Sequence, residues 1–239
     1  MKQTIFIIAF FIHVHSYAQL DQILSKTKKV LDMKQPLTSE EVSKGLKEAL
    51  INGITKGTDI TSKLDGYYKN PEIKIPFPPD VKMVEDKLRM LGMGGEVDKF
   101  IVTLNRGAED AAKEAKPIFI AAIKQMTIDD AMAILKGQPD AATQFLQRTT
   151  TAQLKEKFKP VVQVSLDRVQ ATKYYADLVK NYNRIPFVSK VNPSLKDYAT
   201  DKAIQGLFTM IAKEEKSIRQ DPLARTSDLL QKVFNTKTK

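Results

Sequence analysis

Two polar groups have the residue types and the spacing that a chemical site needs. Asn105, Arg106 and Glu109 follow one another in a helical pattern, and Asn105 and Glu109, four apart, share a helix face beside an apolar stripe. As a site they would line a pocket, with Glu109 as an acid or a ligand-binding carboxylate. As packing, Asn105 satisfies the backbone of a neighbouring segment and Glu109 pairs with an arginine, because polar groups near a core need partners. The packing reading is favoured. Glu214, Glu215, Arg219 and Arg225 form the second group. Glu215 and Arg219 have i,i+4 spacing, worth roughly 0.2–0.5 kcal/mol if exposed. They could hold an anionic group; fixing the last helix against the one before it is the favoured reading. Glu109 with Asp130 could also supply two carboxylates for cleaving a glycosidic bond, which need a separation of roughly 5–10 Å. A chain with 28 acidic residues offers many such pairs, so this reading carries little weight.

The residue types that are missing narrow the chemistry further. The 2 histidines are His13 and His15, both in the first segment, and there is no cysteine. Histidine is the usual base near neutral pH and the commonest metal ligand, and cysteine supplies thiolates and soft ligands. Beyond residue 15 there can be no Ser-His-Asp triad, Cys-His pair, histidine zinc site or iron–sulfur cluster. No cofactor or metal is implied. Gly92-Met93-Gly94-Gly95 lacks the spacing of a phosphate-binding loop, and no strand precedes it.

Met1-Lys2 followed by the apolar run Ile5 to Ile12 and by Ser16-Tyr17-Ala18 reads as an export signal cleaved after Ala18. The run is shorter than the roughly 20 residues of a membrane span. Cleavage would leave residues 19–239 as a single domain whose charge, without Lys2, is 37 cations against 28 anions. The expected destination is the periplasm or the medium. A basic protein is attracted to phosphates and anionic lipids. Lysines gather at 26, 28, 29 and 34, at 155, 157 and 159, and at 237 and 239, where solvated helix faces are the simpler explanation. Nucleic acid is not expected, since no stacking platform or binding motif is present.

Apolar periodicity is helical nearly throughout, and strand signals, repeats and low-complexity segments are missing. A short amphipathic stretch covers 22–31 and breaks at Pro36. Thr38 to Glu41 reads as a capping box opening a helix with Val42, Leu46, Ala49, Leu50, Ile54 and Gly57. Ile60 and Leu64 continue it to a turn at Asp65-Gly66-Tyr67-Tyr68. Residues 70–79 carry four prolines, and the alternation of Ile73, Ile75 and Phe77 predicts an extended strap with one face packed on helices. Tyr67, Tyr68, Phe77 and Phe187 are assigned to core and strap packing, with a groove around the strap as the alternative. Asp80 is expected to cap a helix ending at Gly92. An alanine-rich element from Glu96 to Met126 should kink or divide at Pro117. Further helices are expected at 127–136, from Pro139 to Leu146, from Leu154 to Asn183 with a bend at Pro160, from an Asn192 cap with Pro193 in the first turn to Asp221, and around 229–234. Thr149-Thr150-Thr151 is expected to separate two of them, and 185–192 to be a linker. The architecture is an all-α, single-domain antiparallel helical bundle or array.

Several strings, in order, resemble one bacterial family. They are Leu64-Asp65-Gly66-Tyr67-Tyr68 with Ile73-Lys74-Ile75-Pro76, Leu104-Asn105-Arg106-Gly107-Ala108-Glu109, and Asp130-Ala131 with Ile134 to Gly137 and Ala141-Ala142-Thr143. Gly206-Leu207-Phe208 with Glu214-Glu215, Ile218-Arg219 and Pro222 complete the set. The chain is similar to the domain of unknown function 4197 family, departing from it at Gly107, where alanine is expected. The resemblance implies an exported helical protein and no particular activity or catalytic residue. The expected function is a non-enzymatic envelope module that binds an anionic envelope component or another envelope protein. The alternatives are a carboxylate-dependent hydrolase or lyase acting on envelope glycan, and a carrier of an apolar ligand between helices.

Overall fold

The computed structural model describes residues 37–235 apart from 169, 185, 188, 189, 193 and 226. The expected leader, the stretch at 22–31, Pro36, Pro193, the lysines at 26–34 and the tail at 237–239 lie outside the described residues. The fold is all-α, with no strand among the described residues. The helices are α1 (Ser39–Thr61), α2 (Lys82–Met90), α3 (Gly94–Ala112), α4 (Ala115–Gln125), α5 (Ile128–Lys136), α6 (Ala141–Asp167), α7 (Ala171–Tyr182), α8 (Leu195–Gln220) and α9 (Asp228–Asn235). None of them is long and apolar enough to cross a membrane.

Helix α8 is the centre of the array, in contact with α1, α3, α6 and α7. It runs antiparallel to α6: Lys159 pairs with Asp197 at 3.0 Å, Lys155 with Asp201 at 2.8 Å, and Thr143 meets Glu215 at the far end. Two of the three mid-chain lysines are therefore held by α8 carboxylates. Helix α1 is antiparallel to α8 as well, with Gly53 beside Ile218 and Gly57 beside Ile211. The close approach follows from small residues, Ala49, Gly53 and Gly57, buried and spaced four apart on one face of α1; Gly45, one turn before them, meets Leu229 and Val233 of α9. The alanine stripe of α3 behaves alike: Ala108, Ala111 and Ala112 are fully buried, and α3 packs against α6. At Gly107 a Cβ would stand 3.2 Å from Ser165 Cβ of α6, so the departure from alanine lies at a tight helix crossing.

The burial of the strap alternates as predicted, with Ile73, Ile75 and Phe77 buried and Lys74 and Pro76 exposed between them. Residues 71–73, however, form a turn closed by bonds from the Ile73 and Lys74 amides to the Asn70 carbonyl, so the non-helical strap proper begins only at Lys74. Elsewhere the boundaries differ from the sequence expectation. Leu64 lies beyond the end of α1 and is exposed. Pro79–Val81 is a turn of 3₁₀ helix, α2 starts after Val81, and Asp80 does not cap it. Helix α3 begins at Gly94, within the Gly92-Met93-Gly94-Gly95 string and ahead of the expected start at Glu96, just after Gly92 at φ +81. The long alanine-rich element divides at Lys113-Glu114, upstream of Pro117, because the proline ring would meet the carbonyl four residues before it. Thr149, Thr150 and Thr151 do not separate two helices; their hydroxyls return to the carbonyls of Phe145, Leu146 and Gln147 inside α6. Pro160 lies within α6 on its exposed side, and the break comes later, at Gln170 with φ +54. Ser194, not Asn192, caps α8, accepting from the Asp197 amide.

Candidate functional site

Helix α3 presents Asn105 and Glu109 toward the segment between α1 and α2. That segment makes no regular ladder, so its amides and carbonyls need partners from elsewhere. Asn105, fully buried, supplies a pair: its Oδ1 accepts from the Ile75 amide at 2.8 Å and its Nδ2 donates to the Ile75 carbonyl at 2.8 Å. The side chain thus acts as a neighbouring strand would, and Nδ2 also reaches the Ile101 carbonyl of its own helix at 2.7 Å. One turn on, Glu109 Oε1 accepts from two successive amides, Tyr67 and Tyr68, each at 3.1 Å.

Glu109 Oε2 takes a 2.6 Å bond from Arg106, whose other nitrogen donates to Asp65 at 2.7 Å. Asp65 opens the turn in the left-handed region, at φ 68, where aspartate is tolerated better than most residues. Its carboxyl is held below the usual range by Lys69 and Arg106. Lys74 and Arg106 both lie over the ring of Tyr68, at 4.6 and 5.6 Å from its centroid. Tyr67 closes the assembly by donating its hydroxyl to the Ala203 carbonyl of α8 at 2.6 Å. Burial pushes its phenol far above the ordinary value, with the Glu109 charge adding to the effect.

The second group has the same logic at a helix end. Asp140 precedes α6 without capping it through its side chain. The missing cap comes from α8: Glu215 accepts from the amides of Ala142 at 3.1 Å and Thr143 at 2.9 Å, and from the Thr143 hydroxyl at 2.8 Å. Arg219 binds Glu215 Oε1 through two nitrogens, at 3.0 and 2.8 Å, and also reaches the Ile134 carbonyl in the last turn of α5 at 2.9 Å. An anion thus faces a helix start and a cation faces a helix end, the signs that the helix dipoles favour. Glu215 is buried, so this is not the exposed i,i+4 pair expected from spacing. The pair itself joins α8 to α5 and α6; of the four residues, Arg225 meets the last helix, its guanidinium lying 5.7 Å from the centroid of the Phe234 ring. Arg225 donates to the Ile218 and Arg219 carbonyls, and Glu214 pairs with Lys56 of α1.

Asp130 belongs to neither network. It completes a capping box with Thr127 at the start of α5, and the backbone and side-chain bonds from Thr127 hold its carboxyl below the usual range. A glycan-cleaving acid needs the opposite, a proton held to higher pH. Of the four aromatic residues assigned to core and strap packing, Tyr67 and Phe77 are buried and Tyr68 is partly buried, but Phe187 is fully exposed. A cavity of about 20 Å³ beside Glu215 and Arg219 has room for one water.

Asp65, Ile75 and Thr143 were not singled out from sequence as members of these groups, and the Asp65-Gly66 dipeptide was the one local signal, marking a turn. Comparison with curated proteins and with solved structures gives no match. A family model described as a protein of unknown function, DUF4197, matches residues 36–235, a span that takes in both networks and every helix described above. The chain belongs to that family.

Proposed function

We propose that the chain is a non-enzymatic binding or structural module of the bacterial envelope, exported by its N-terminal signal. One observation carries the non-enzymatic part. Both oxygens of Glu109 and both of Glu215 are bonded to backbone amides, an arginine or a threonine hydroxyl, inside the protein. A carboxylate bound in this way holds backbone together; using it as an acid, base or nucleophile would break those bonds. The export signal and the surplus of 37 cations over 28 anions after cleavage support an anionic envelope partner.

The test is retention. Protein recovered from expressing cells, its N-terminus read by mass spectrometry, should begin at Gln19. Immobilised, it should hold an envelope lipid, glycan or protein, less strongly as salt rises. Retention of no envelope component at any ionic strength would overturn the binding role. Turnover of envelope glycan, lost in a folded Glu109→Gln variant, would overturn the non-enzymatic one.

A further inference from the structure

The second half of α7 and the turn after it combine features found nowhere else among the described residues. Phe187 is wholly in solvent, at 108% of its reference exposure, and its backbone sits at φ 65. A bulky residue is uncommon in that region. The base of the turn is fastened: Asn183 Oδ1 accepts from the Val191 amide and Asn183 Nδ2 donates to the Val191 carbonyl, both at 2.8 Å. Val191 is buried, and Lys190 donates to the Asn183 carbonyl. Pro186 and Phe187 therefore project from a closed base.

Charge surrounds this projection. Ala171, Tyr175 and Val179 anchor α7 in the core, leaving Lys173, Asp177, Lys180 and Arg184 along the outer side. With Lys190, residues 171–192 carry four cations and one anion. Among the described residues, Lys173, Lys180 and Arg184 make no ion pair, unlike Lys155 and Lys159 of α6. Asp177, Lys180, Asn183 and Arg184 border an open concavity of about 410 Å³, room for a charged headgroup.

We infer that this face docks on an anionic phospholipid surface, with Phe187 entering the headgroup layer and Lys173, Lys180 and Arg184 meeting lipid phosphates. The inference rests on the envelope reading and names its partner. An apolar tip ringed by cations is what an anionic interface complements: the ring enters the acyl boundary while the long cationic side chains stay at phosphate depth.

Co-sedimentation tests it, using the chain as purified from expressing cells and vesicles of phosphatidylglycerol with phosphatidylethanolamine, or of phosphatidylcholine alone. Any contribution of residues 1–18 is common to all variants and cancels. The parent should bind the anionic vesicles at least about tenfold more tightly than the neutral ones. Phe187→Asn, which tolerates positive φ, should weaken that binding about tenfold. Lys180→Gln with Arg184→Gln should weaken it by more than about tenfold and flatten its salt dependence. All these side chains are exposed, so melting curves should match the parent. Equal binding to both vesicle types, unaltered binding by the variants, or no binding of the parent to anionic vesicles at low salt would each overturn the inference. Capture by insoluble peptidoglycan, lost in the same variants while vesicles are ignored, would overturn the lipid assignment and leave the envelope module standing.

Discussion

At the scale of single residues, Glu109 and Glu215 do the same work in different places. Each is a buried carboxylate that accepts two successive backbone amides and is neutralised by an arginine on its own helix. Buried charge is costly unless paired and bonded, and here both conditions are met. Glu109→Gln cannot replace both bond sets at once, since an amide has one accepting oxygen and its nitrogen, a donor, cannot take the place of the oxygen that serves the other set. It should lower unfolding free energy by about 2–3 kcal/mol, read from the denaturant midpoint, and Glu215→Gln should do the same. Asp130→Asn, at a more exposed helix cap, should cost under about 1 kcal/mol. The contrast separates carboxylates that hold distant backbone from one that serves only its own helix. The arginine partner of Glu109 was legible in the sequence, because Arg106 stands one helical turn before it. Its amide partners were not: Tyr67 and Tyr68 lie about forty residues upstream, and no local pattern encodes which helix an irregular turn will meet.

At the scale of elements, periodicity located nearly every helix, because each buries one face and the apolar spacing records it. Boundaries were less legible, since they depend on contacts made elsewhere. Helix α6 continues through Pro160 although proline in a helix interior costs about 3 kcal/mol. Leu154, Phe158, Val162 and Leu166, fully buried on either side of it, together outweigh that cost. The three threonines of α6 look like a break in sequence, yet in the fold their hydroxyls have carbonyl partners within the helix. Phe187 was misplaced for a related reason: aromatic residues are usually buried, and nothing local reveals that a turn will hold one outward. The strap depends on one permissive position in α8. A methyl group at Gly206 would stand 2.7 Å from Tyr67 Cε1 and 3.1 Å from Ile73 Cβ. Gly206→Ala should therefore displace the strap despite its better helix propensity, costing more than about 2 kcal/mol and lowering the melting temperature.

At the scale of the whole molecule, the described fold is a helical array whose irregular segment between α1 and α2 is fastened by side chains in place of a sheet. It contains no histidine, so no imidazole titrates between pH 5 and 8. Asp65, Asp130 and Asp197 have carboxyls held below their ordinary values, by Lys69 and Arg106, by Thr127, and by Lys159 and Ser194 respectively. Their contribution is present above the unfolded value near 4 and is lost as pH falls through the folded values. Tyr67, Tyr175 and Tyr198 are shifted upward by burial, Tyr175 to about 12. Their neutral forms stabilise the fold below about pH 10, and that contribution is lost as the pH climbs past it. Thermal melting should thus be level from about pH 5 to 9, with an acid limb and an alkaline limb.

The central claim is that the polar residues best suited to chemistry are occupied in holding irregular backbone and helix ends. Amide hydrogen exchange tests it most directly, at Tyr67, Tyr68, Ile75, Ala142 and Thr143, whose amides donate to side chains of α3 and α8. All five should exchange as slowly as core helix amides. Glu109→Gln should speed Tyr67 and Tyr68 and leave Ala142 and Thr143 unchanged; Glu215→Gln should do the reverse. Rapid exchange of these amides in the parent, or protection indifferent to both substitutions, would contradict the account.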